Sequence, residues 1–302
     1  MLVIFKQVAV MLIFAIVGCF MAKKKIIDPD QGSILSRLAV YIFLPCATFN
    51  SFATNFTVKY FSEKYMLILV ALALLIVVSL ISHWLAKKLQ PNGYDRLVYE
   101  YSMIIPNVSY VGYPMILSLF GSEALLDVIV FTLPMNVYCF TLGYDMLTEQ
   151  MGQKISLKRL FPPVVIAMLL GAAVGLSGLK MPAMATQVTE SAAACLGPVG
   201  MLLLGIAMAK FELKDLFTYK QVYIVTAMRL VVFPAAVFAV LKLLRLDYML
   251  LPAIVTYAMP CGLNAIIFPQ MTGHDCTRGA ALVLISTVLC VITVPICVYL
   301  FV

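Results

Sequence analysis

Charged side chains are scarce in this sequence. Asp, Glu, Lys and Arg make up 12% of the 302 residues, whereas 63% are hydrophobic and the mean hydropathy is +1.03. Because a soluble domain contains about a quarter charged residues, this composition excludes an ordinary water-soluble fold. Long apolar runs between short charged loops instead predict an all-α polytopic membrane protein. At about 20 residues per span, the length accommodates roughly ten helices.

Groups for catalysis and metal binding are also few. Histidine occurs only at His83 and His274, which fall at the ends of different predicted helices. The eight cysteines lie almost all in apolar segments without CxxC spacing, which is typical of small buried side chains rather than of a disulfide or zinc framework. No nucleophile–base pair or metal-ligand cluster is evident. We therefore predict no enzyme, no metal site and no cofactor.

The net charge of +7 comes from Lys and Arg residues that lie mostly in loops. This distribution is typical of a protein in a lipid bilayer and does not indicate nucleic-acid binding. Loops after odd-numbered helices are the more basic, which predicts that they are cytoplasmic and that both termini are outside. The apolar run Val8 to Ala22 is followed at once by Lys23, as expected for a retained first span and not for a cleaved signal sequence.

The chain divides into two halves at the polar, basic linker Thr148 to Arg159. Residues 1–150 hold five predicted helices and 151–302 hold the other five. Because the number per half is odd, the second half enters the membrane from the opposite side, which gives a 5+5 inverted repeat. The predicted helices cover about 2–22, 34–54, 63–86, 97–120, 124–147, 161–178, 187–209, 218–243, 248–271 and 278–301.

Two of these helices, the fourth and the ninth, should be broken. Helix 4 contains the run Ile104 to Pro114, and helix 9 contains the run Met259 to Pro269. Both place Pro, Gly and Asn where a membrane helix should be continuous, and proline removes a backbone donor and crowds the preceding turn. In lipid, a broken helix is tolerated only where the freed groups face protein or a water-filled cavity. Two broken helices in equivalent positions indicate the binding site of a transporter.

The candidate substrate-binding residues are therefore those around the two breaks. Half-helix N-termini hold anions without a full cation, and unwound carbonyls suit a cation. Prolines and glycines that merely kink the helices for packing are the alternative explanation. The candidates are Pro106, Asn107, Ser109, Tyr110, Gly112, Pro260, Gly262 and Asn264.

Two charged residues are candidates for an anion-binding or ion-coupling role. Arg229 lies roughly ten residues into helix 8, close to mid-membrane at about 1.5 Å per residue. It could neutralise an anionic substrate, or it could pair with an acidic neighbour or a backbone carbonyl. Asp145 falls near the cytoplasmic end of helix 5 and is a candidate proton-coupling carboxylate, although an interfacial position without such a role is the commoner case. Glu100 and Glu190 are weaker candidates.

Four motifs resemble those of the auxin efflux carrier family, which includes plant auxin exporters and bacterial malate and malonate permeases. Asn107 to Pro114 resembles the family's N-x-G-[FY]-x-G-x-P signature in helix 4, and Met259 to Asn264 resembles its Met-Pro…Asn motif in helix 9. Arg229 to Pro234 is similar to its R-L-x-x-x-P, and Pro198 to Gly205 to its P-x-x-x-x-x-x-G. The resemblance runs in order along the whole chain.

The resemblance implies a ten-helix inverted repeat in which helices 4 and 9 cross at their breaks, with Pro106, Asn107, Pro260 and Asn264 lining the crossover. It also implies an organic-anion substrate, elevator-like motion and a homodimer in a bacterial inner membrane. The linker between the halves is short, unlike the long cytoplasmic loop of plant members, so auxin itself is not implied. Ser109 stands where the family usually has Gly.

Two other interpretations stay open at this stage. One is a sodium-coupled carrier of the bile-acid type, in which carbonyls at the crossover also hold cations. The other is a membrane sensor that binds its ligand without moving it. The sequence does not name the anion, the direction of movement or the coupling ion, which could be H⁺ or Na⁺.

Overall fold

The computed structural model describes residues 2–28, 32–148, 163–209 and 218–302, and every regular element in these ranges is helical. From residue 149 onward, the predicted linker between the halves lies outside the described residues. The α-helices are α1 (Leu2–Lys23), α2 (Gly32–Leu38), α3 (Leu44–Asn55), α4 (Val58–Leu89), α5 (Tyr94–Ile104), α6 (Tyr113–Tyr138), α7 (Tyr144–Leu147), α8 (Pro163–Ser177), α9 (Ala183–Ala194), α10 (Leu196–Met208), α11 (Lys220–Ala227), α12 (Phe233–Leu243), α13 (Leu250–Ala258), α14 (Asn264–Thr272) and α15 (Thr277–Phe301).

Wider, π-helical turns join several of these helices end to end. They cover Ala39–Phe43, Val108–Gly112, Cys139–Gly143 and Met228–Val232. Pro45, Pro114 and Pro234 each stand two residues after such a turn. A proline has no N–H and crowds the carbonyl four residues earlier, and a locally wider turn moves that carbonyl away from the ring. The prolines therefore explain three of these turns.

Six helices of the described chain are long and apolar enough to cross a membrane, judged by length and composition. They cover Ile34–Asn55, Val58–Leu89, Ala124–Leu147, Ala183–Ile206, Lys220–Leu243 and Thr277–Phe301. Leu69, Ile76 and Leu80 on α4 are more than half exposed, as suits a helix facing lipid. The prediction of an all-α, multi-pass membrane protein is confirmed. The count of ten spans and the inverted 5+5 repeat stay predictions.

The helices predicted to be broken fall into shorter pieces, so neither counts among the six. Predicted helix 4 is divided into α5 and the first part of α6, and predicted helix 9 is divided into α13 and α14. Within α6, Gly121 has φ 82° and ψ −175°, and the helical backbone is interrupted there. This is the predicted junction between helices 4 and 5, and only glycine adopts such a conformation readily.

The helices pack into two bundles, each drawn from both halves of the chain. The first bundle consists of the helices within residues 2–55 and 163–208, and its main pairs are α1 with α10 and α3 with α8. The second bundle consists of the helices within residues 58–147 and 220–301. There α4 packs on α5 and α6, while α13 packs on α6, α12 and α15.

Glycines let the main helix pairs of the first bundle touch backbone to backbone. A Cβ atom on Gly205 of α10 would lie 1.9 Å from the carbonyl oxygen of Ala15 in α1. One on Gly175 of α8 would lie 2.5 Å from the carbonyl oxygen of Phe52 in α3. Real side chains do not fit at such distances, so glycine is required at both places. Close approach through small residues is the usual way in which helices associate in a bilayer.

Candidate functional site

The two breaks in the second bundle begin at the residue before a proline. Ile105 precedes Pro106, and Met259 precedes Pro260. Proline disfavours helical geometry in the residue before it, and both Ile105 (φ −98°, ψ 116°) and Met259 (φ −67°, ψ 150°) are extended. The sequence therefore ends α5 and α13 at the same kind of position.

The two breaks are hydrogen-bonded to each other through their backbones. The N–H of Asn107 donates to the carbonyl oxygen of Pro260 at 2.8 Å, and the N–H of Gly262 donates to that of Ile105 at 2.9 Å. Pro106 and Cys261 thus face each other in a single antiparallel bridge. We call residues 105–107 and 259–263 the paired breaks. Each break uses the other to satisfy groups that a membrane interior would leave unpaired.

A glycine and a serine complete this contact. A Cβ atom on Gly262 would lie 3.0 Å from the carbonyl oxygen of Ile105, so the two backbones approach closely because that position has no side chain. The N–H of Cys261 donates to Oγ of Ser286, on α15, at 3.0 Å. Ser286 in turn donates to the carbonyl oxygen of Leu282 at 2.6 Å. The hydroxyl therefore anchors the second break to the neighbouring helix.

Arg229 satisfies the carbonyl groups at the ends of the helices that precede the breaks. It lies in the π-helical turn Met228–Val232 and is fully buried. Its guanidinium donates to the carbonyl oxygens of Met103 (2.9 Å) and Ile104 (3.4 Å) at the end of α5. It also donates to those of Thr256 (3.1 Å) and Met259 (3.2 Å) around the end of α13. Of the roles proposed from the sequence, this geometry favours pairing with carbonyls.

The asparagines and the tyrosine predicted at the breaks lie buried in the described chain. Asn107 is 2% exposed, and neither its Nδ2 nor its Oδ1 has a protein partner there. Asn264 donates through Nδ2 to Sγ of Cys139 at 3.1 Å, while its Oδ1 has no partner. The Tyr110 hydroxyl is likewise unpaired, and its ring packs on Gly200 of the first bundle, where a Cβ atom would lie 2.3 Å from the ring.

A cavity of about 630 Å³ lies between the two bundles and comes within two residues of the first break, at Ser109. Ser109 and Tyr113, which follow the break, form part of its wall on the second-bundle side. Its polar wall on the first-bundle side comes from α3 and α9. The lining residues are Val10, Phe14, Ala47, Asn50, Ser51, Thr54, Asn55, Ser109, Tyr113, Leu125, Glu190, Ala193, Ala194, Leu196, Gly197 and Pro198.

The cavity extends toward one end of the bundles. A second cavity of about 340 Å³ shares Thr54 and Asn55 with it and is lined further on by Lys59, Tyr60 and Glu63. The two cavities therefore follow the end of α3 and the turn into α4. The two bundles also contact each other through α2 and α14.

Few of the residues predicted to form the site line the described cavities. Of the eight break candidates, Ser109 alone lines the described cavity; Pro106 is partly buried, and the remaining ones are buried in or beside the paired breaks. Asp145 lies in the short helix α7 and does not line the described cavities. The described residues contain no group of three or more His, Cys, Asp or Glu side chains suited to a metal ion.

Sequence reasoning named Glu100 as a weaker candidate but missed its histidine partner. Glu100 on α5 is 8% exposed, and both its carboxylate oxygens lie 3.1 Å from Nδ1 of His83 on α4. His83 stands beside Trp84 near the end of a predicted span, a position that indicates an interfacial histidine. The pairing depends on how α4 packs on α5, which no local pattern reveals.

The sequence also matches known membrane transport proteins. The family model described as "Membrane transport protein" matches residues 3–298. An uncharacterized transporter of Methanocaldococcus jannaschii is 23% identical over 291 residues, a match that covers 93% of each chain. Because the family model spans nearly the whole sequence, the chain belongs to this membrane transport protein family, the auxin efflux carrier family that its motifs resemble.

Proposed function

We propose that this protein is a secondary transporter that moves a small organic anion with a carboxylate group across a bacterial inner membrane. In this proposal, ten helices form two inverted five-helix repeats, and predicted helices 4 and 9 cross at the paired breaks. Substrate binds where the cavity meets this crossover. The sequence-based orientation, with both termini outside, makes the described cavity an outward-facing one.

The observation that carries the proposal is the meeting of two broken membrane helices beside a cavity between the bundles. Asn107 and Pro260, one from each half of the chain, are joined by a backbone hydrogen bond. Ser109, two residues beyond the first break, lines the cavity. Binding sites of secondary transporters lie at such repeat interfaces between discontinuous helices. A cavity of this volume also falls in the range that holds a small molecule.

The chemistry around the breaks suits a carboxylate. Helical segments begin just after both breaks, and helix N-termini carry a partial positive charge and free N–H donors. Ser109 supplies a hydroxyl in the cavity wall. The unpaired amide of Asn107 lies two residues away from it, in the buried layer behind that wall. Buried polar atoms normally have partners, so the amide of Asn107 is a candidate contact for a substrate that penetrates beyond Ser109.

The two bundles supply the parts that alternating access needs. The first bundle is joined through glycine contacts between backbones and is the candidate scaffold. The second bundle contains the paired breaks and is the candidate moving unit. In an elevator-like cycle, it would carry the crossover past the first bundle, and the contacts of α2 with α14 would open as the present cavity closes.

The proposal is tested by uptake of radiolabelled malate, malonate and an indole carboxylate into proteoliposomes, with and without a proton or sodium gradient. Asn107→Ala removes no described hydrogen bond, so the variant should fold normally and lose uptake. Asn264→Ala should also reduce uptake. Asn92→Ala is the matched control, because this asparagine lies in an exposed loop.

Selective loss of uptake in the Asn107 and Asn264 variants, with normal melting temperatures, would support binding at the crossover. Native-level uptake by both variants would contradict the assignment of these asparagines. Absence of uptake by the native protein for every anion tested would contradict the carboxylate substrate and leave the family membership untouched.

A further inference from the structure

Arg229 is a buried cation whose described hydrogen-bond partners are backbone carbonyls and not acids. Its side chain is fully buried, and among the residues that the structure describes no carboxylate forms an ion pair with it. Its hydrogen bonds go instead to four backbone carbonyl oxygens, with the ring of Tyr257 5.6 Å from the guanidinium carbon. A buried charge is costly unless it is paired, so these carbonyls must provide the compensation.

The carbonyls belong to the negative ends of two helices. Met103 and Ile104 are the last residues of α5, and Thr256 lies in the last turn of α13. The last four carbonyls of a helix have no partner within it, and the end carries roughly half a negative charge. Two such ends together present roughly one negative charge. One guanidinium compensates both and supplies donors for four acceptors.

Converging carbonyls at half-helix C-terminal ends are the groups that coordinate Na⁺ in cation-coupled carriers with broken helices. Here they already hold a permanent cation, since arginine is not deprotonated in proteins. A metal ion at the same place would lose these oxygens to the N–H donors and would be repelled by the guanidinium at close range.

We propose that Arg229 is a covalently attached substitute for a coupling cation. It neutralises the two negative helix ends at the paired breaks in every state of the protein, so the second bundle is always in its cation-loaded form. The positive ends of the helical segments that follow the breaks are then left for the anion. This proposal rests on the proposed transport function in one respect only, namely the consequence that anion movement requires no Na⁺.

Melting temperatures of the purified protein test the charge role without any transport assay. Native protein, Arg229→Ala and Arg229→Lys are compared in sodium and in N-methylglucamine buffer, with added methylguanidinium or its neutral analogue N-methylurea. We expect the native melting temperature to be the same in both buffers. Arg229→Ala should have a lower melting temperature than the native protein. Methylguanidinium and Na⁺ should each raise that temperature by a few degrees, whereas N-methylurea should not. The melting temperature of Arg229→Lys should fall between those of the native protein and Arg229→Ala, because lysine keeps the charge but lacks the planar guanidinium with its fixed set of donors.

Three results would overturn the proposal. Sodium-dependent stability of the native protein would reveal a separate cation site. Equal rescue of Arg229→Ala by N-methylurea would mean that the guanidinium fills space and does not act through its charge. Stability of Arg229→Lys no better than that of Arg229→Ala would exclude a role for the charge. If Arg229→Ala does not fold, the native and Arg229→Lys measurements still decide.

Uptake assays then test the consequence for transport. For any anion that the native protein carries, replacing Na⁺ by N-methylglucamine on both sides should leave the rate unchanged. A rate that falls without Na⁺ would contradict the proposal. If no anion is carried, the melting experiments still decide the role of Arg229, so the failure of one proposal is distinguished from the failure of the other.

Discussion

The helix backbones contact each other in different ways in the two bundles. In the first bundle, helices approach so closely that a Cβ atom on Gly205 would lie 1.9 Å from the carbonyl oxygen of Ala15. In the second bundle, two helices are interrupted, and their backbones bond to each other at Asn107 and Pro260. Contact between continuous helices leaves their backbone hydrogen bonds within each helix, whereas an interrupted helix has N–H and C=O groups that need partners outside that helix. The cavity lies where the two kinds of packing meet.

Introducing a side chain at a glycine of the first bundle should have the largest effect. In Gly205→Leu, the new side chain would meet the backbone of α1, and backbone cannot move aside as a flexible side chain does. We expect a loss of stability above about 3 kcal/mol, seen as the absence of a monodisperse peak in size-exclusion chromatography. Gly32→Ala is the control, since its Cβ atom would meet only side chains, the nearest at 3.5 Å. A well-folded Gly205→Leu protein would contradict the tight contact.

Removing one hydroxyl from the second bundle should have an intermediate effect. In Ser286→Ala, the buried N–H of Cys261 loses its acceptor, which should cost about 1–3 kcal/mol of unfolding free energy and lower the melting temperature. Thr287→Val is the matched control. It is the adjacent buried residue, and its hydroxyl has no partner in the described structure, so its removal should be neutral or stabilising. Equal melting temperatures for the two variants would show that the serine bond adds nothing to the break.

Filling the cavity from the first bundle should reduce transport without unfolding the protein. Ala194 lines the cavity at the end of α9, and Ala194→Trp should lower the affinity for substrate about tenfold, or ~1.4 kcal/mol, in a concentration series of uptake. Val188→Trp is the control, because Val188 lies on the same helix, is exposed and does not line the cavity. Uptake by Ala194→Trp that matches this control would place the substrate path elsewhere.

The smallest effect is expected from the acidic residue in the cavity wall. Glu190 should repel an entering anion, so Glu190→Gln should lower the KM at low salt by about two- to fivefold, the range expected for an exposed charge. The difference should shrink as salt is added. Glu63→Gln, which alters the more distant second cavity, should have a weaker effect. A KM that rises in Glu190→Gln would indicate that the carboxylate assists binding.

The breaks could be predicted from the sequence because their cause is local. Pro106 and Pro260 act on the residue before them, and this effect needs no tertiary contact. The partner across the contact could not be predicted in the same way. Pro106 faces Cys261 and not Pro260, and this register depends on how two distant helices meet.

The acceptors of Arg229 and most of the cavity wall could not be predicted for a related reason. The acceptors of Arg229 are backbone carbonyls, which every residue has, so no side-chain pattern marks them. Ser109 was predicted through its place beside a break. Asn50 and Thr54 line the cavity only because α3 of the first bundle packs near that break, and such packing between bundles leaves no periodic trace in the sequence.

The hydrogen bonds between the breaks also bear on how the chain is made. Asn107 belongs to the first half of the chain, whereas its acceptor on Pro260 is synthesised much later. A ribosome delivers the chain from its N-terminus at about 5–20 residues per second. The first interrupted helix therefore waits for about 8–30 seconds without its partner, in a bilayer interior that has no hydrogen-bond partners for its backbone. Insertion of the first half must shield this segment, with water, lipid headgroups or the insertion machinery itself, until the second half arrives to close it.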